Sequence, residues 1–265
     1  MILAHRVIGP EVGPTAFLLH GILGSATNLM GFARGLATRH PLWRFVVPDL
    51  RGHGDSGPGA PPHTVAACAD DLQRLAAVVG SPQVVVGHSF GGKVALIYAQ
   101  RTTVGSGGLR DVWVLDAPPG AARQTSDHEV RRVLAAARAL PTPVASREAV
   151  TAHFLAAGFS TAIATWMTTN ITRRADGLVF KPDLAVIEAL LEDYFMNDLW
   201  GFLEAPPAGL GLHMLRAGKS DRWDAATLAR LAAAPIDVRV LPDAGHWVHV
   251  DDPAGVMACV GESLP

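Results

Sequence analysis

A chain of 265 residues with a formal net charge of −2 and a pI near 6.6 has room for one α/β domain carrying an inserted subdomain. That balance removes any electrostatic case for nucleic acid or an anionic membrane surface, since both require clustered positive charge. Two cysteines without a pairing pattern, no secretory signal at Met1–Arg6 and no apolar run of transmembrane length set the expectation of a cytoplasmic chain with no membrane partner.

Apolar runs of strand length recur at Thr15–Leu19, Arg44–Val47, Val84–Val86 and Val112–Leu115, then at His213–Leu215 and Val238–Leu241. Helix-period stretches are predicted around 64–79, 91–102, 224–233 and 254–263. Runs apolar on both faces suit strands covered by helices on each side, so the predicted class is α/β with a mostly parallel, doubly wound sheet. Between about 120 and 208 the alternation stops. Only helices are predicted there: Ser126–Leu140, Ser146–Ala157, Ser160–Thr169 and Asp183–Trp200. Turn-rich borders, Pro118-Pro119-Gly120 and Pro206-Pro207-Ala208-Gly209, mark that stretch off. The expected organisation is a core of residues 1–119 and 209–265, with 120–208 as a helical cap over the C-terminal strand ends, where open α/β sheets bind ligands.

The chemistry starts at Gly87-His88-Ser89-Phe90-Gly91. A predicted strand before it and a predicted helix after it turn G-x-S-x-G into a nucleophile elbow, with Ser89 on a strained turn and small residues where backbones approach. A serine hydroxyl needs a base. His246, in Asp243-Ala244-Gly245-His246-Trp247 after the last predicted strand, stands where a Ser-first, His-last triad places it. Two aspartates compete to orient it: Asp116, ending the run Val112–Leu115, and Asp221, in Gly218-Lys219-Ser220-Asp221. The residues alone leave both open. His53, His88 and His249 read as structural or supporting groups. The Phe90 amide, opening the helix after the nucleophile, and an amide of the His20–Gly24 turn, taken as Ile22, are the expected oxyanion donors.

Gly54-Asp55-Ser56-Gly57-Pro58 looks like the nucleophile motif of chymotrypsin-like proteases, but those are all-β and this segment reads as a turn. Eleven histidines invite a metal, yet no H-E-x-x-H or paired-cysteine spacing exists, so no metal is expected. No glycine-rich phosphate loop stands in a strand-to-helix context either, and no cofactor is expected.

With those residues in place the chain resembles α/β-hydrolase-fold proteins, and more narrowly the YbfF-type acyl esterases. The matching segments are His20–Ser25 with Asn28, Asp49–Ser56, Gly87–Lys93, Leu115–Pro118, Trp166–Asn170 and Ala244–His249. The resemblance implies a cap inserted after the sixth strand, and Asp116 as the acid with Asp221 as the alternative. It also implies a serine hydrolase acting on small-molecule esters or thioesters. Phe154, Phe159, Trp166, Met167, Phe195 and Trp200 are candidate walls of an apolar acyl pocket, with ordinary packing as the competing role of each. Carbon–carbon bond hydrolysis or lysis on the same fold, and a small-molecule receptor keeping the triad, are the competing functions. A monomer or small homo-oligomer is expected.

Overall fold

The computed structural model describes residues 1–102, 108–122 and 129–265. In chain order the elements are β1 (His5–Ile8), β2 (Thr15–Leu19), α1 (Ala26–Arg39), β3 (Arg44–Pro48), α2 (Val65–Val79), β4 (Val84–His88), α3 (Phe90–Arg101) and β5 (Asp111–Leu115). Then come α4 (Glu129–Arg138), α5 (Arg147–Ala156), α6 (Thr161–Thr168), β6 (Ile171–Arg174), β7 (Gly177–Phe180), α7 (Leu184–Met196) and α8 (Trp200–Glu204). The chain closes with β8 (Gly211–Ala217), α9 (Ala225–Ala233), β9 (Asp237–Leu241), α10 (Val248–Asp251) and α11 (Pro253–Gly261).

Seven strands form one sheet in the order β1-β3-β2-β4-β5-β8-β9, with β1 antiparallel at the edge and the rest parallel. Alternate residues of the buried strands supply two cores. Phe17, Leu19, Val85, Val112 and Val114 pack with α2 and α3 on one face. Ala16, Leu18, Val84, Val86, Trp113 and Leu115 pack with α1 and α11 on the other. Burying a side chain of this kind contributes about 1.5–3 kcal/mol, which is why these strands carry no polar face.

One antiparallel strand, β1, enters the sheet before the parallel run, so the insertion follows the fifth strand rather than the expected sixth. The insertion is not wholly helical either. Ile171–Arg174 pairs antiparallel with Gly177–Phe180 in a two-stranded sheet of its own, joined by Ala175 and Asp176 with Gly177 at φ +132°. Residues 126–128 of the predicted Ser126–Leu140 helix lie outside the described residues. The insertion holds its own apolar cluster, which includes Val133, Phe154, Met167, Ile187 and Leu191, and takes in Leu23 from the β2–α1 loop. Among the described residues no helix is long and apolar enough to cross a membrane.

At the sheet edge opposite the strands' C-terminal ends, His213 is held between Asp111 at 2.9 Å and Asp237 at 3.0 Å, and stacks on Trp113. Burial opposes its charge, but the two carboxylates outweigh burial and raise its pKa. A group raised on folding stabilises the fold fully below its unfolded pKa, about 6.5, and loses that contribution as pH rises through the folded value. Urea midpoints should therefore fall more between pH 6 and pH 8.5 for wild type than for His213→Gln. Parallel slopes would remove His213 as the cause.

Candidate active site

The parallel strands run in one direction, so the loops after β2, β4, β5, β8 and β9 open on the same edge. Each brings one part of the site. The β4–α3 junction is the predicted elbow. Ser89 takes φ +51° and ψ −116°, and its amide donates to the Leu115 carbonyl at 2.9 Å. Only glycine fits beside it: a Cβ on Gly87 would lie 2.1 Å from the Gly91 carbonyl oxygen, and one on Gly91 would lie 2.6 Å from that of His20.

The structure brings Ser89, His246 and Asp116 into one hydrogen-bonded chain. Ser89 Oγ donates to His246 Nε2 at 3.1 Å, and His246 Nδ1 donates to Asp116 Oδ2 at 2.8 Å. A carboxylate only accepts, so the proton of neutral His246 sits on Nδ1 and Nε2 is left to accept. Asp116, fully buried and at φ +48°, is held by its other oxygen, which accepts from Trp223 Nε1 at 2.7 Å and the Ala217 amide at 3.0 Å. Burial alone would raise its pKa. The bonds from His246, Ser220, Trp223 and Ala217 outweigh burial and hold the carboxyl below its ordinary value. Asp221 is exposed and reaches His246 only through its charge.

Burial is the largest influence on His246 and lowers its pKa. Arg222 adds to that, while Asp116 and Asp221 oppose it. The imidazole is therefore neutral at lower pH than a free one, and the acid limb of kcat/KM is expected to fall below about 6.5. Arg222→Met should move that limb upward. A pH–rate profile with the limb unmoved would exclude Arg222 as a contributor.

The loop after β2 lies against Ser89: a Cβ on Gly21 would meet Ser89 Cβ at 3.4 Å. Two buried histidines brace it. His20 Nδ1 donates to the Gly21 carbonyl at 2.8 Å, and Nε2 accepts the Leu50 amide at 3.0 Å. His53 Nε2 accepts the Leu23 amide at 3.1 Å, and Nδ1 donates to the Arg51 carbonyl at 2.9 Å. Burial lowers the pKa of both. The Leu23 amide is thus committed, whereas Ile22 directly follows Gly21, the residue that faces Ser89. Phe90 opens α3, so its amide has no acceptor within the helix. His88 Nε2 donates to the His246 carbonyl at 2.8 Å and so steadies the histidine loop from beneath.

Of the expected pocket walls, Trp166 approaches the site, edge-on to Trp247 at 5.4 Å between ring centroids. Phe154 and Met167 are fully buried in the insertion's cluster, which also takes in Leu23 and packs against Ile22, Trp166 and Trp247. Trp200 packs into the main core, with its indole nitrogen against Gly120 and its ring under Arg230. Ser56 is also occupied elsewhere, accepting from the Ala4 amide and donating to the Asp49 carbonyl. Trp223, Ser220 and Lys93 were not singled out from sequence. A lone lysine in the apolar stretch Phe90–Ala99 was the signal available for the last.

Residues 16–258 match the profile of the group described as Alpha/beta hydrolase family. The chain is similar to sn-1-specific diacylglycerol lipase ABHD11 of Mus musculus, with 28% identity over 97% of this chain and 82% of that protein. Among solved structures, a marine microorganism esterase superposes with a TM-score of 0.85 at 24% identity, covering 99% of both chains. E-2-(acetamidomethylene)succinate hydrolase superposes with a TM-score of 0.79 at 21% identity, covering 98% of this chain and 94% of its own.

Proposed function

Because the chain belongs to the alpha/beta hydrolase family, we propose that it is a serine hydrolase cleaving carboxylic esters or thioesters through an acyl-enzyme on Ser89. The observation that carries this reading is the continuous chain from Ser89 Oγ through His246 to Asp116. Ser89 Oγ attacks the acyl carbon as its proton passes to His246 Nε2. Asp116 stabilises the imidazolium and keeps its orientation. The Phe90 and Ile22 amides receive the negative oxygen, a contribution of about 2.7–4 kcal/mol for a donor of this kind. Collapse expels the alcohol or thiol, which takes the proton from His246. Water then attacks the acyl carbon, again with His246 as base, and releases the acid and a free Ser89.

Residues 120–208 act in this reading as a cap over the site, and Trp166 with Trp247 and Ile22 offers an apolar wall to the acyl group. The names of two similar proteins, a diacylglycerol lipase and an esterase, favour ester substrates. A panel of p-nitrophenyl and glycerol esters and acyl thioesters of increasing chain length, run with wild type and Ser89→Ala, tests the proposal. Turnover that vanishes in the variant supports it. A fluorophosphonate label on Ser89 with no turnover of any acyl substrate would favour a receptor instead.

A further inference from the structure

Lys93 is one turn beyond Ser89 on α3 and only 1% exposed. Its ammonium donates to three backbone carbonyls: Gly120 at 2.7 Å, Tyr194 at 2.9 Å and Asn197 at 2.9 Å. An ammonium has three protons and no acceptor site, so this set satisfies it completely. The three carbonyls are not neighbours in the chain. Gly120 stands where the chain leaves β5 for the insertion. Tyr194 and Asn197 belong to the last turn and the cap of α7, where helix carbonyls lack intrahelical partners and favour a cation. The Tyr194 ring lies 4.5 Å from the ammonium and also packs on Phe90, with centroids 5.8 Å apart.

We propose that Lys93 is a positioning residue that fastens the insertion over Ser89, binding its entry and the end of α7 to the helix that opens with Phe90. This rests on the reading of 120–208 as a cap. The charged groups facing the ammonium are Asp193 and Asp198, and neither touches it. Asp193 accepts from the Val65 amide and the Asn197 side chain, and Asp198 from the Trp200 amide. The Tyr194 hydroxyl, pushed up to about 12 by burial, stays neutral through the pH range of interest. Burial lowers the Lys93 pKa to about 8 against the pull of the two carboxylates. A neutral amine has two protons for three carbonyls, so the fastening loosens in mildly alkaline solution.

The test compares Lys93→Met with its parent, first by hydrogen exchange in a Ser89→Ala background at pH 7. Amides of 184–204 are expected to exchange roughly tenfold faster or more, while those of β4 and β5 stay within about twofold. In active enzyme, KM for p-nitrophenyl esters should rise more than kcat falls. Wild-type KM should climb between pH 7 and pH 9 toward that of Lys93→Met, whose own KM stays flat. Faster exchange throughout the chain, or nowhere, overturns the proposal, as does an unchanged KM. Should Lys93→Met fail to fold, wild type itself decides. After correction for intrinsic exchange, selective loss of protection in 184–204 at pH 9 supports the fastening, and none overturns it. The exchange arm needs no turnover, so a failed esterase assay counts against the functional reading alone.

Discussion

Ser89→Ala is expected to lower kcat for ester turnover by about 10⁴-fold or more, the scale on which losing the nucleophile of a serine triad acts. The fold should survive, because Ser89 Oγ bonds only to His246 among the described residues, and the backbone bonds of the elbow do not involve the side chain. Turnover within about tenfold of wild type would remove Ser89 from the chemistry. A companion variant separates strain from chemistry. At φ +51° a serine is held where glycine is at ease, and such strain costs on the order of 1–3 kcal/mol. Ser89→Gly should be as inactive as Ser89→Ala yet more stable than it, by about 0.5–1 kcal/mol in urea unfolding. Equal stabilities would mean that the elbow stores no strain at this residue.

Asp116→Asn should cost about 10⁴-fold in kcat, because the amide presents a donor to His246 Nδ1 and drives the proton to Nε2. An imidazole protonated on Nε2 cannot accept from Ser89. The asparagine oxygen can still receive Trp223 Nε1 and the Ala217 amide, so circular dichroism should remain native while kcat collapses. Asp221→Asn should stay within about threefold, the effect of one exposed charge screened by solvent. Its sign is fixed: removing a negative charge lowers the His246 pKa slightly further. Equal losses in the two variants, or the reverse order, would transfer the acid's role to Asp221.

The two aspartates also show where sequence reasoning reaches its limit. The elbow was legible because glycines, a β-branched run and a helix-period run are all local to Ser89. His246 was legible from the order of strands and loops. Choosing between Asp116 and Asp221 depends on Trp223 and Ala217, which are more than 100 positions away in the chain from Asp116 and meet it only after β5 and β8 pair. Spacing cannot report such a contact. The hairpin at 171–180 is a different case: Asp176-Gly177 was a readable turn signal, but the polar run Thr172-Arg173-Arg174 before it and the helical character on both sides masked it. For Phe154 and Met167 the sequence shows only that they are apolar, because an apolar helix residue does not declare which neighbour it will meet; the structure buries both in a cluster that also packs against Ile22 and Trp247.

That cluster has a consequence for how such a chain can change over generations. Ser89, His246, Asp116 and the braced turn at His20–Gly24 all come from outside residues 129–204; the insertion has an apolar cluster of its own, while Val186, Leu190, Trp200 and Leu203 tie its C-terminal part into the main core. Substitutions within that cluster can therefore accumulate without displacing an atom of Ser89, His246 or Asp116, so long as Leu23 and the contacts of 186–203 with the main core persist, together with the fastening proposed for Lys93. On the proposed function, transplanting 129–204 from a related chain with those contacts matched would redirect the choice of acyl group while the Ser89–His246–Asp116 chain stays in place.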